Sequence, residues 1–150
     1  MKNVFYILLL VLFLVLPPSQ YVTELSDKPE QEELTAIQPT PKQFLKLEIA
    51  KQGLSNRDFE ILSAIIFCES SWAQKYETGE VKVSNGNIGL AQINRMAHED
   101  EYTKLNLDPF KEFDNLQYAI LLYKRNGIQD WEAWSGHCFL PILAKQGITF

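Results

Sequence analysis

Three hydrophobic regimes succeed one another along this chain. Val4 to Leu16 is an unbroken apolar run, preceded by Lys2 and closed by Pro17-Pro18. Residues 20–41 carry no apolar periodicity. From Lys42 onward, apolar residues recur at helical spacing in stretches cut by Gly and Pro.

The first regime is too short for a comfortable membrane span and matches the apolar core of a secretory leader. Export is therefore expected, to a secreted, periplasmic or cell-envelope location. Residues 1–19 serve either as a signal peptide or as an uncleaved signal anchor through residues 4–16, because only Ser19 offers a weak cleavage site and no Cys offers itself for lipidation. The second regime sets Glu24, Asp27, Glu30, Glu32 and Glu33 against Lys28 alone, with Pro29, Pro39 and Pro41. Such a composition cannot bury a core and reads as a disordered acidic linker over residues 20–41. Residues 42–150 are about 110 residues, enough for one small core.

Within that third regime the pattern predicts a mainly α fold. A first helix runs from Lys42 to Gln52 through Phe44, Leu47 and Ala50, with Gly53 as its stop. A second spans Ser55 to Ser71, with Ser55 as N-cap, Asp58 as its capping-box partner, and Phe59, Leu62, Ile65 and Ile66 as the buried stripe. Val81 and Val83 alternate with polar residues and Asn85-Gly86 marks a tight turn, so residues 79–88 read as a small β excursion. Asp108-Pro109 opens another helical region whose stripe of Leu116, Ile120 and Tyr123 ends at Gly127. A short helix from Asp130 to Trp134 and a last one after Pro141 complete the domain. No internal repeat appears.

Charge and cysteine usage narrow the function classes. The net charge is -5, and the linker accounts for -4 of it, five acids minus one Lys. The remainder is nearly balanced, which removes the electrostatic argument for a nucleic-acid partner. Cys68 and Cys138 are the only cysteines. In an exported chain an even count favours a disulfide, here one that ties the C-terminal aromatic segment to the second helix; two buried thiols are the alternative. A zinc site of His137, Cys138 and Cys68 lacks the usual ligand spacing, so neither metal nor cofactor is expected. His98, in His98-Glu99-Asp100-Glu101, reads as a surface residue.

The most informative chemistry begins at Glu69. It lies four residues past Ile65 and seven past Leu62, so helical spacing places it on the apolar stripe. Burial disfavours an ionised carboxyl and raises its pKa, which suits a general acid near neutral pH. An isolated Glu is mostly solvent-exposed; the surrounding constellation argues otherwise. Gly89 permits close backbone approach, Gln92 and Asn94 supply amides suited to hydroxyl and N-acetyl groups, and Leu90 and Ile93 pack inward. Trp134 is the aromatic assigned to a cleft, with Trp72 and Trp131 assigned to packing.

Glu69-Ser70-x-Trp72 together with Gly89-Leu90-Ala91-Gln92-Ile93-Asn94 resembles the lysozyme-like superfamily, and within it the soluble-type (SLT) lytic transglycosylase domains. A third block, from Asn115 through Ala119, Leu121 and Tyr123 to Gly127, Trp131, Ala133, Trp134 and Ser135, is similar in order and spacing. The resemblance covers roughly residues 44–139, and three ordered blocks are fairly specific. It implies a lysozyme-like domain with its β excursion between the catalytic helix and the Gly-Leu-Ala-Gln-Ile-Asn segment. It also implies one catalytic acid, Glu69, and a glycan cleft lined by Ser70, Asn87, Gly89, Gln92, Asn94, Tyr123 and Trp134. The implied reaction cuts peptidoglycan between N-acetylmuramic acid and N-acetylglucosamine, leaving 1,6-anhydro ends. Peptidoglycan strands would be the partner, the membrane would be met only through the N-terminal segment, and a monomer is expected.

Two positions depart from the family pattern. Ala133-Trp134-Ser135-Gly136 stands where many members have Ala-Tyr-Asn-x-Gly, leaving Tyr118 or Tyr123 to supply a hydroxyl near Glu69. Asn87 stands where animal-type lysozymes of the superfamily have an Asp. An amide cannot form a glycosyl ester, so a retaining mechanism through that position is closed. An inverting hydrolase using Glu77 or Glu80, and a glycan-binding module without turnover, remain the alternatives.

Overall fold

The computed structural model describes residues 38–149; the apolar leader and all but the end of the linker lie outside them. Five helices and a small antiparallel sheet make up the described chain: α1 Pro41–Lys51, α2 Asn56–Ser70, β1 Val83–Ser84, β2 Asn87–Ile88, β3 Ile93–Asn94, α3 Arg95–Lys104, α4 Glu112–Asn126 and α5 Gln129–Lys145. The fold is mainly α, as the pattern predicts.

Capping chemistry sets the start of the first two helices. Thr40 and Gln43 form a capping box around Pro41, the first helical residue. Pro41 therefore belongs to the helix rather than to the linker. Ser55 and Asp58 form the second box, where the Asp58 carboxylate accepts from the Ser55 N–H at 2.7 Å. In α1 the buried residues are Leu45 and Ile49, while Leu47 is 55% exposed and Ala50 is exposed. The stripe expected through Phe44, Leu47 and Ala50 follows a period of three; a true helix turns through 3.6 residues, and that brings 45 and 49 inward.

α2 is the central helix. Phe59, Ile61, Leu62, Ala64, Ile65 and Ile66 are all buried, so it is covered on more than one face. α5 and α1 pack against it, and α1 also packs on α4. The core gathers Leu45, Leu62, Ile65, Leu116, Ile120, Phe139 and Leu143 from these helices and Leu90 from the turn between β2 and β3.

α5 corrects the sequence expectation of two short helices near Asp130 and after Pro141. It runs unbroken for 17 residues with Gly136 and Pro141 inside it. Pro141 forfeits one backbone hydrogen bond. Phe139 and Leu143, both fully buried on either side of it, and the Cys68–Cys138 disulfide hold the helix continuous. The disulfide spans a sequence separation of 70 with Cα atoms 5.9 Å apart. No cysteine remains free, which removes the zinc alternative.

The sheet has the order β1-β2-β3, with Ser84 opposite Asn87, and Asn87 opposite Asn94. Asn85 and Gly86 both adopt positive φ, 50° and 81°, as a two-residue hairpin turn requires. Behind the sheet, two buried amides clamp the Gly89-Leu90-Ala91 backbone. Gln74 accepts from Leu90 N–H (2.8 Å) and donates to the Pro109 and Phe110 carbonyls. Asn115 accepts from Ala91 N–H (2.9 Å) and donates to the Ile88 and Pro109 carbonyls.

Candidate active site

A groove of about 200 Å³ opens between the C-terminal turn of α2, the sheet, α3 and the first turns of α5. Glu69, Asn85, Asn87, Gln92, Ile93 and Asn94 line one part of it, and His98, Leu122, Asp130, Trp131 and Trp134 complete it.

Glu69 is half-buried in the last turn of α2. Its carboxyl is held above its ordinary value, chiefly by desolvation. The negative end of the helix dipole, where it lies, also disfavours a negative charge. Ser135 is the one group that opposes the rise. Its hydroxyl also meets the Trp131 carbonyl, at 3.3 Å. Beyond Glu69 the chain leaves the helix through two non-Gly left-handed residues, Ser71 and Trp72 (φ 55° and 62°). The ammonium of Lys82 meets the Ser70 carbonyl at 2.8 Å and satisfies one of the helix's last acceptors.

The amide wall comes from the sheet. Asn94 donates to the Asn87 side-chain oxygen (2.8 Å), and its own oxygen caps α3 by accepting from Ala97 N–H (3.0 Å). Gln92, at φ 50°, donates to the Gly89 carbonyl at 2.8 Å, which leaves its side-chain oxygen to the groove. Trp131 is 3% exposed and donates its indole N–H to the Ala91 carbonyl, forming the floor. Trp134, one turn on, is 79% exposed at the rim.

Glu69, Asn87, Gln92, Asn94 and Trp134 are thus brought together from the residues the sequence singles out. Three others lie elsewhere. The Ser70 side chain is buried and donates to the Ile66 carbonyl at 3.1 Å, a bond within its own helix. Gly89 faces the clamp instead of the groove: a Cβ there would stand 2.5 Å from Gln74 Oε1 and 2.6 Å from Asn115 Nδ2. Tyr123 donates to Asp58 at 2.8 Å, near the opposite end of α2. Tyr118 does not supply a hydroxyl to Glu69 either, since it donates to Glu101. The hydroxyl beside Glu69 is that of Ser135. Glu77 and Glu80 are exposed and outside the groove.

Sequence reasoning missed His98 and Asp130. His98 is half-buried rather than a surface residue, on a helix too polar for its periodicity to stand out. The signal was Asn94, whose Asx side chain is a helix N-cap in waiting. Asp130 lies four residues before Trp134, hence on the same helical face, and accepts from Asn126 Nδ2 at 2.9 Å. Among the described residues no cluster of His, Cys, Asp and Glu suits a metal.

Neither a protein-family model, nor a curated protein, nor a solved structure matches this chain.

Proposed function

We propose that this chain is a lytic transglycosylase of the lysozyme-like superfamily, acting on peptidoglycan outside the cytoplasm. One observation carries the reading: a carboxyl whose pKa is raised by burial sits in a groove walled by side-chain amides and edged by an exposed Trp. An acid of raised pKa donates to a glycosidic oxygen, amides recognise hydroxyl and acetamido groups, and an aromatic face stacks on a sugar ring. The three-block resemblance in sequence supports the same assignment.

In this reading Glu69 protonates the oxygen linking C1 of N-acetylmuramic acid to N-acetylglucosamine, and that C–O bond breaks. The substrate's acetamido oxygen stabilises the cation at C1. Glu69, now a carboxylate, takes the proton of the sugar's 6-hydroxyl as that oxygen bonds to C1, giving the 1,6-anhydro ring and a regenerated acid. No second carboxylate takes part, consistent with Asn87 on the sheet. Gln92 orients the acetamido group, Asn94 holds the Asn87 amide in the wall beside it, and Trp134 stacks at the rim. The enzyme works without a cofactor, as a monomer, exported by residues 1–19 and held to the membrane only where that segment is retained.

Hydrolysis is the second reading, favoured by the presence of Asp130 in the groove and not by Glu77 or Glu80, which stand outside it. Mass spectrometry of products from purified sacculi separates the two. Anhydro ends are the expected result, and reducing ends would overturn the transglycosylase assignment. If wild type and Glu69→Gln release equal, negligible dye from labelled sacculi, the chain is a glycan-binding module without turnover.

A further inference from the structure

A relay of hydrogen bonds reaches the groove from outside it. Arg125 on α4 donates to Glu101 Oε1 at 2.6 Å, and Tyr118 on α4 donates its hydroxyl to Glu101 Oε2 at 2.8 Å. These two bonds hold the Glu101 carboxyl below its ordinary value, as an acceptor. Tyr118 has only one hydroxyl proton, and Glu101 takes it. The Tyr118 oxygen can therefore only accept toward the third member, His98 Nδ1, 3.2 Å away. Nδ1 must carry hydrogen.

The other ring nitrogen has no protein partner among the described residues, and the ring lines the groove. Burial and three charged groups bear on its charge. Burial, the largest influence, together with Arg125, pushes the imidazole toward neutrality; Asp130 on α5 and Glu101 on its own helix pull the other way. Asp130 acts through space, its Oδ2 being occupied by Asn126.

We infer that His98 presents an unprotonated Nε2 to the groove as a hydrogen-bond acceptor for a substrate hydroxyl or amide N–H, held in that tautomer by the Arg125–Glu101–Tyr118 relay. The glycan identity of the ligand rests on the function proposed above; the tautomer does not. His98 is a positioning residue. It complements the amide wall, whose Asn94 is already committed at both ends.

The test combines a spectroscopic and a kinetic readout on the full chain. Long-range 1H–15N correlation at pH 7 should show His98 with Nδ1 protonated and Nε2 bare, the exposed His137 serving as the internal reference. Tyr118→Phe, which removes the accepting oxygen, should shift the ring toward Nε2–H. On sacculi, His98→Ala should lose about tenfold in kcat/KM, mostly through KM. His98→Gln, whose side-chain carbonyl reaches the place of Nε2, should recover most of that at unchanged melting temperature. A ring charged at pH 7 or protonated at Nε2 overturns the inference. So does turnover by His98→Ala equal to wild type, which would leave the glycan reading intact. A bare Nε2 in a wild type that neither binds nor cleaves sacculi sinks the glycan reading and, with it, the assigned ligand, while the tautomer stands.

Discussion

Cys68, the residue before Glu69, is joined to Cys138, one helical turn after Trp134. A single covalent bond therefore fixes the acid at the end of α2 against the helix that supplies the groove's floor, rim and Ser135. Neither cysteine touches the groove, yet together they set the distance across it.

Removing the bond should cost both stability and rate. For a closed loop of about 70 residues the chain-entropy argument gives roughly 4 kcal/mol. The Cys68→Ser/Cys138→Ser double variant is expected to unfold at markedly lower urea and to turn over sacculi more slowly at temperatures where it is still folded. Reducing the wild type should reproduce both effects, and an unchanged urea midpoint would contradict the account.

On the proposed mechanism, Glu69→Gln should lower turnover by about 10³-fold or more, because it removes the group assigned both proton transfers. The variant should melt no lower than wild type, since the side chain sits where charge is unfavourable. A variant that unfolded would instead reveal a structural role.

The same burial makes a stability prediction with a definite sign. Glu69 has a folded pKa above its ordinary 4.5, so between the two values the native state binds more proton than the unfolded one, and stability falls as pH rises through that window. The stability advantage of Glu69→Gln over wild type should accordingly be full above the folded pKa and vanish below about pH 4. Melting curves at pH 3.5 and 7.5 decide it; a constant difference would mean that Glu69 is not desolvated.

Asn115→Ala should destabilise by about 3 kcal/mol, since it strands the buried Ala91 N–H and takes a donor from the Ile88 and Pro109 carbonyls, of which Pro109 keeps only Gln74. Gly89→Ala should be comparably damaging, because its φ of 74° and the two amides within 2.6 Å of a Cβ act together. Equilibrium urea unfolding measures both. A loss under about 1 kcal/mol for either variant would show that the clamp contributes little.

Some of this was written in the sequence because it is local. The Ser55–Asp58 capping box, the Asn85-Gly86 turn, the apolar stripe of α2 and the inward place of Glu69 depend on residues within a turn or two of each other, where spacing alone decides geometry. The cysteines paired as their even count suggested. What the tertiary structure decided is non-local. Pro141 and Gly136 lie inside one helix because Phe139 and Leu143 are buried against α2 across the core, a gain that outweighs a local breaker and is invisible to a window of sequence. Gly89 is kept small by Gln74 and Asn115, which stand 15 and 26 positions from it. His98 and Asp130 reach the groove of Glu69 from two helices remote in the chain, and no pattern read along one dimension brings them there.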